Sequence, residues 1–149
     1  MNTKTLAFLF TRDLNRLKSE IELYQSEKHL WLVDKMITNS GGNLCLHLIG
    51  NLNAYIGAGL AQTGYIRQRE LEFSAKDIPR VTLKAQIEET IRVVERGLDT
   101  LTSEMLTGDF PIVIWDKPAN MEFTLLHLHS HLNYHLGQIN YHRRMLDES

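Results

Sequence analysis

The chain has 149 residues, of which 43% are hydrophobic and 23% charged, with a formal net charge of −2. This length and composition predict one soluble domain, residues 1–149, that buries its own hydrophobic core. The weak net charge gives no drive toward nucleic acid or anionic membranes, and no stretch approaches the roughly twenty apolar residues of a membrane span. A single cysteine, Cys45, excludes an intramolecular disulfide and favours a reducing compartment, so we expect a cytoplasmic protein.

Apolar residues spaced by three and four positions predict two helices in the first half of the chain. In the first, from about Lys4 to Ser26, the apolar stripe consists of Leu6, Phe10, Leu14, Leu17, Ile21 and Tyr24. The turn-forming residues Asn39–Gly42 then precede the second helix, whose stripe consists of Leu44, Leu48, Leu52 and Tyr55. His47 is expected in the first turns of this second helix.

The second half of the chain predicts two more helices and two long connections. Residues 64–81 mix charges of both signs, contain Pro79 and lack a clean period, so we expect a connection there. Thr82 is the expected cap of helix three, which continues through about Glu104. Residues 108–120 are predicted to be a loop, and Asn120 is the expected cap of helix four, which extends through Met145.

Four helices of about twenty residues each predict an all-α fold, a four-helix bundle. Because two of the links are long, at least one crossover allows neighbouring helices to run parallel.

Histidines mark one face of helix four. His131 and His135 are one turn apart and point the same way, and His47 on the second helix supplies a third imidazole from a facing element. This spacing is typical of a three-nitrogen transition-metal site, although a buried imidazole satisfied by hydrogen bonds gives the same pattern. His129 points to the other side and is expected to be solvated, whereas His127 and His142 are candidates for the rim of a pocket.

The face of helix two that carries His47 is lined by small residues, Ala54 and Ala58 among them. Small side chains leave room for a pocket, but they also permit close helix packing, and the sequence does not decide between the two. Asn51 on this face and Gln138, near His135 on helix four, are candidates for orienting a metal ligand or a substrate, and Tyr134 is a candidate donor to a reacting oxygen. Each of the three is equally compatible with a purely structural role.

Three segments, NSGGNLCLHLIGNL around His47, RQRELEF after helix two and HLNYHLGQI around His135, resemble the DinB/YfiT-like superfamily. The similarity extends over almost the whole chain. It implies a four-helix bundle of up-down-down-up topology with a long crossover, usually a homodimer. It also implies a divalent metal held by His47, His131 and His135.

Characterised members of that superfamily include thiol-dependent enzymes, so the resemblance implies a low-molecular-weight thiol as cosubstrate. Zinc or nickel is the expected metal, because three neutral imidazoles suit either ion and leave a coordination position open. We therefore expect a metal-dependent thiol transferase acting on a small electrophile. The alternative is a non-catalytic metal-binding bundle with a stress-related or dimer-stabilising role.

Overall fold

The structure, a computed structural model, describes residues 1–148 and is all-helical over that range. Its helices are α1 (Thr3–Leu23), α2 (Gly41–Leu52), the short α3 (Arg69–Ser74), α4 (Arg80–Asp99) and α5 (Met121–Leu146). A π-helical turn, Asn53–Ala58, continues α2, and 3-10 turns occupy Glu27–Trp31 and Met105–Thr107. The predicted all-α class is confirmed.

The four long helices form an up-down-down-up bundle, as pairs of contacts along each interface demonstrate. α1 and α5 run parallel to each other, α2 and α4 run parallel to each other, and α1 with α4 and α2 with α5 are antiparallel. Residue numbers rise together along the two parallel interfaces, in the pairs Asp13–His129 and Tyr24–His142 between α1 and α5, and Asn53–Thr90 and Ile56–Gly97 between the α2 end and α4. They run in opposite senses along the two antiparallel interfaces, in the pairs Thr11–Glu95 and Lys18–Glu88 between α1 and α4, and Gly41–His142 and His47–His131 between α2 and α5. The link from α2 to α4, which includes α3, is therefore a crossover between parallel helices, as expected.

The core lies along the bundle axis and is built from the predicted stripes. Every member of the α1 stripe, from Leu6 to Tyr24, is buried, and so are Leu83 and Ile87 of α4 and Leu132 and Ile139 of α5. Burying a side chain of this size contributes about 1.5–3 kcal/mol, so the stripes account for the main stabilisation of the bundle. Within residues 1–148, no helix combines the length and the apolar character that a membrane span requires.

Side-chain caps define where two of the helices begin. Ser40 Oγ accepts a hydrogen bond from Asn43 N at the start of α2, and Asn120 Oδ1 accepts one from Phe123 N at the start of α5. Each cap satisfies an amide that has no partner within the helix. The expectation that Asn120 caps the last helix is confirmed.

Several predicted boundaries were wrong. The first helix ends at Leu23, because Tyr24 is extended and turns its hydroxyl toward His142. Thr82 lies inside α4, which begins at Arg80 because Pro79, with φ of −56°, leads the chain directly into the helix. That helix stops at Asp99, short of the predicted Glu104. Residues 64–81 contain α3 in addition to loop.

Candidate metal centre

Three imidazoles converge between α2 and α5. His131 and His135 are one turn apart on α5, and α2 passes antiparallel to α5 so that His47 faces both of them. The ring centroids lie 5.0 Å apart for His47 and His131, 5.0 Å for His47 and His135, and 4.6 Å for His131 and His135. His47 is buried and the other two are half-buried, so the cluster lies at the edge of the core.

The partners of the rings indicate which nitrogens face one another. Nδ1 of His47 lies 3.0 Å from Glu72 Oε1, and Nδ1 of His135 lies 2.7 Å from Gln138 Oε1. Both acceptors are oxygens, so each Nδ1 carries the proton and each Nε2 retains its lone pair. Nε2 of His131 lies 3.1 Å from Nε2 of His47. The lone pairs of His47 and His135 are thus available on the nitrogens that a common ion would use.

Glu72 of α3 holds His47 and is itself held by Arg67. Arg67 donates from Nε to Glu72 Oε2 at 2.8 Å and from Nη2 to Glu72 Oε1 at 2.9 Å. Burial alone would raise the pKa of Glu72, but hydrogen bonds from His47 and Arg67 lower it below its usual value. The carboxylate therefore stays charged at neutral pH. A charged carboxylate on the distal nitrogen orients a ligating histidine and increases its basicity.

Burial keeps two of the histidines neutral. The pKa of His131 is lowered to about 4, chiefly by burial and further by its histidine neighbours His135 and His47. Burial also lowers the pKa of His135, although the hydrogen bond with Gln138 opposes that effect. Neutral imidazole is the form that binds a metal, so the site does not have to lose protons from these rings at pH 7.

The donor set fits a divalent transition-metal ion. Around a tetrahedral zinc with Zn–N bonds of about 2.0–2.1 Å, ligand nitrogens lie roughly 3.3 Å apart. The His47 and His131 nitrogens are 3.1 Å apart, and all three donors lie within 4.8 Å of one another. Without a cation, either Nε2 of His47 or Nε2 of His131 has to carry a proton, because two lone pairs at this distance repel. Nδ1 of His131 is buried and has no hydrogen-bond partner among residues 1–148.

Gly50 provides the space that Glu72 occupies. A Cβ built on Gly50 would overlap the Glu72 carboxylate, with Oε2 as its nearest neighbour. A glycine at this position of α2 is therefore required for the close approach of α3.

The remaining predicted site residues lie at the margins of the cluster. Gln138 contacts His135 directly, as described above. Asn51 is one turn beyond His47 on α2, and its Oδ1 is buried without a partner in the described part of the chain. Tyr134 is 66% exposed, with its ring centroid 5.2 Å from that of His135. Asn51 and Tyr134 therefore lie near the imidazoles without contacting them through a hydrogen bond.

The histidines outside the triad have separate environments. His127 is exposed and stacks on His131 at a centroid distance of 6.4 Å, next to Trp115. His142 is buried, with Nδ1 2.7 Å from the Tyr24 hydroxyl and Nε2 2.9 Å from the carbonyl oxygen of Leu32. His142 therefore helps to join α1 to α5.

The prediction that His129 is solvated was wrong. Its Nε2 lies 2.8 Å from Oδ2 of Asp13, a fully buried carboxylate on α1. We call these two residues, with Arg12, Arg16 and Asn133, the Asp13 cluster. Burial alone would raise the pKa of Asp13, but hydrogen bonds from Arg12, Asn133 and His129 lower it to about 2.

Sequence reasoning did not assign a role to Glu72 or to Arg67. Both belong to residues 64–81, the segment that was predicted to be a connection. The available signal was RQRELEF, in which Phe73 follows Glu72 directly. Phe73 packs on His47 with a ring-centroid distance of 5.0 Å. The aromatic residue in this charged segment therefore indicated that the segment packs on the rest of the protein.

A family model describes nearly the whole chain. The family described as "Protein of unknown function (DUF1572)" matches residues 9–149. The chain belongs to the DUF1572 family. All residues of the candidate centre of this DUF1572 protein fall within the matched range. No curated protein matches the sequence.

The structure also resembles a solved one. The crystal structure described as "the conserved protein of locus from Enterococcus faecalis" is similar to this DUF1572 protein with a TM-score of 0.77 at 15% sequence identity. The similarity covers 98% of this chain and 97% of the other chain. At this identity the similarity establishes a shared fold and says nothing of a shared activity.

Proposed function

We propose that this protein is a DinB-like divalent-metal-binding protein that acts as a metal-dependent thiol transferase on a small electrophile. The observation that supports it is the convergence of three imidazoles, His47, His131 and His135, with the protons of two of them held on the outer nitrogens by Glu72 and Gln138. Such an arrangement presents lone pairs to one point in space, and three protein ligands leave room for a further ligand on zinc or nickel.

Some side chains would bind the ion, and others would orient the side chains that bind it. His47, His131 and His135 would hold the ion through their Nε2 atoms, while Glu72 and Gln138 fix the ring orientations and Arg67 keeps the carboxylate in place. A divalent ion bound there supplies Lewis acidity, which favours the thiolate form of a bound thiol at neutral pH. The half-buried position of His131 and His135 leaves one side of the site open to small molecules.

A turnover assay tests the proposal. The purified protein is loaded with zinc or nickel and assayed with a panel of low-molecular-weight thiols and uncharged electrophiles. We expect metal-dependent S–C bond formation that is lost in His135→Ala and retained in His127→Ala, because His127 is exposed and lies outside the triad. Equal turnover in the His135→Ala protein and the unmodified protein would contradict the assigned mechanism.

The second candidate function, a non-catalytic metal-binding bundle that forms a homodimer, is favoured by a different observation. Apolar residues follow one exposed edge of α5 with helical spacing. These residues are Phe123, Leu126, Tyr134 and Tyr141, which are 57%, 48%, 66% and 61% exposed. A stripe of this kind is typical of a helix face that associates with a second copy of the same chain.

Chelation distinguishes the candidates. If the metal serves to stabilise a dimer, removal of the metal should lower the dimer fraction in analytical ultracentrifugation together with the melting temperature. If the metal serves catalysis, removal should abolish turnover and leave the dimer fraction unchanged. For either function we propose a cytoplasmic location, since the single cysteine is a free, buried thiol.

A further inference from the structure

A cavity lies beside the candidate metal centre, between α5 and the segment that leads into α2. Its volume is about 260 Å³, and its walls include Met36, Leu44, Gln138, Tyr141, His142 and Met145. An apolar cavity of about 150 Å³ accommodates benzene, so this one has room for an aromatic ring with a short substituent. Met36 is 92% exposed and Met145 is 59% exposed, so the cavity opens to solvent between two flexible methionine side chains.

The walls of this cavity carry no formal charge at neutral pH. Met36, Leu44 and Met145 supply apolar surface, Thr38 and Asn39 are polar but uncharged, and the titratable wall groups are Tyr141 and His142. Nε2 of His142 donates to the carbonyl oxygen of Leu32 at 2.9 Å, and its Nδ1 lies 2.7 Å from the Tyr24 hydroxyl, so both ring nitrogens have protein partners. Burial lowers the pKa of His142, which favours the neutral ring at pH 7. An ion entering the cavity would lose water without gaining an opposite charge, so an uncharged ligand is favoured.

Gln138 joins the cavity to the metal centre. Its Oε1 accepts a hydrogen bond from Nδ1 of His135 at 2.7 Å, which fixes the orientation of the amide. The Nε2 group of Gln138 makes no hydrogen bond with residues 1–148, and Gln138 is one of the residues that line the cavity. The wall at Gln138 therefore offers two N–H donors, three residues along α5 from a candidate ligand.

We infer that this cavity is the subsite for the electrophile and that its ligand is an uncharged carbonyl compound with an aromatic or similarly sized apolar body, whose oxygen accepts a hydrogen bond from Gln138. The inference rests on the proposed transferase function and adds the substrate class. An α,β-unsaturated ketone has the required parts, because it is uncharged, carries one strong acceptor and has an electrophilic β carbon.

The reaction balances without an oxidant or a leaving group. The thiolate sulfur forms a bond to the β carbon, and the electron pair of the carbon–carbon double bond moves to give an enolate. The proton released by the thiol then returns to the α carbon, so the product is a thioether of the intact ketone. Gln138 would donate to the oxygen on which negative charge develops.

Binding is measured separately from turnover with unreactive probes. Acetophenone is titrated into the zinc-loaded protein, and the methyl groups of the five methionines are followed by NMR. We expect saturable shifts at Met36 and Met145 and none at Met105 and Met121, which line a different cavity. Benzoate, which has a similar size but a negative charge, should bind at least ten-fold more weakly.

Three variants sharpen the test. Met145→Trp fills the mouth and should weaken acetophenone binding at least ten-fold, whereas Met105→Trp, a change at another partly exposed methionine, should alter it less than two-fold. Gln138→Met removes the amide and should weaken acetophenone about five-fold, the typical worth of one hydrogen bond, without changing the affinity of ethylbenzene, which has no acceptor.

Equal affinity for benzoate and acetophenone, or unchanged acetophenone affinity in Met145→Trp, would overturn the inference. These outcomes are distinguishable from failure of the proposed function. Thioether formation that is insensitive to Met145→Trp would remove the subsite and leave the transferase standing. Acetophenone binding with the expected variant effects, in a protein that joins no thiol to any enone, would support the cavity and refute the transferase.

Discussion

Replacing Glu72 by glutamine is expected to weaken metal binding while leaving the three imidazoles in place. The glutamine has nearly the same shape and can still accept a hydrogen bond from Nδ1 of His47 through its amide oxygen. It removes the negative charge that the structure places 3.0 Å from that nitrogen, and it leaves Arg67 without its bidentate carboxylate partner. The change therefore separates the charge of Glu72 from its geometry.

The expected magnitude follows from the distances. Adding the width of an imidazole ring and a metal–nitrogen bond to the hydrogen bond puts the carboxylate about 7 Å from the ion. A single negative charge at that distance from a divalent cation contributes roughly 1 kcal/mol in a water-like medium and roughly 5 kcal/mol at an effective dielectric constant of about 20. The positive charge of Arg67 offsets part of this. A loss of about 1.4–2.8 kcal/mol, or roughly 10- to 100-fold in affinity, is the expected result.

Competition between the protein and a chromogenic zinc chelator at pH 7.5 measures the effect. Glu70→Gln is the matched control, because Glu70 lies on the same short helix, carries the same charge and is exposed. Circular dichroism and melting temperature verify that both variants are folded. If a folded Glu72→Gln protein binds zinc as tightly as the Glu70→Gln protein, the assigned role of the carboxylate is refuted.

Three further predictions concern a ligand of the ion, the space over Gly50 and the acid stability that Asp13 provides. His135→Ala should reduce zinc affinity more than Glu72→Gln does, with His127→Ala close to the unmodified protein in the same competition assay. Gly50→Ala should weaken zinc binding because its methyl group displaces the Glu72 carboxylate, whereas Gly137→Ala, which meets nothing within 4 Å, should leave binding unchanged and raise helix stability by up to about 1 kcal/mol. Asp13, with its pKa lowered from 3.8 to about 2, should contribute stability that is complete above pH 3.8 and is lost as the pH falls through about 2. Urea titrations across this acid range measure the free energy of unfolding. As the pH falls, that free energy should decrease by roughly 1–2 kcal/mol more in the unmodified protein than in Asp13→Asn. Equal decreases in the two proteins would contradict the assigned role of Asp13.

Periodicity was sufficient to predict the bundle. Stripes such as Leu6 to Ile21 repeat with the period of a helix, and the free energy of burying them is large compared with helix propensity, so the pattern and the structure agree. The long connections indicated that two neighbouring helices run parallel. Boundaries were less predictable, because Tyr24 leaves α1 for a partner 118 residues away in the sequence.

The three histidines of the candidate site were predictable, but the side chains that hold them were not. The four-residue spacing of His131 and His135 places them on one face, and His47 was the candidate third ligand because such a ligand must come from a facing element, as the family resemblance also implied. The role of Glu72 depends on how α3 docks over Gly50, a long-range contact that leaves little local signal. The same is true of His129. Its position on α5 predicted a side chain exposed to solvent, but in the fold it contacts the buried Asp13 of α1.

We propose that one divalent ion binds between α2 and α5 through His47, His131 and His135. A zinc-soaked crystal, with anomalous diffraction recorded on both sides of the zinc absorption edge, tests it most directly. We expect one strong peak per chain, about 2.0–2.1 Å from Nε2 of each of the three rings, with a coordination position not filled by protein. A fully loaded protein whose zinc lies elsewhere, or is bound without His47, would contradict it.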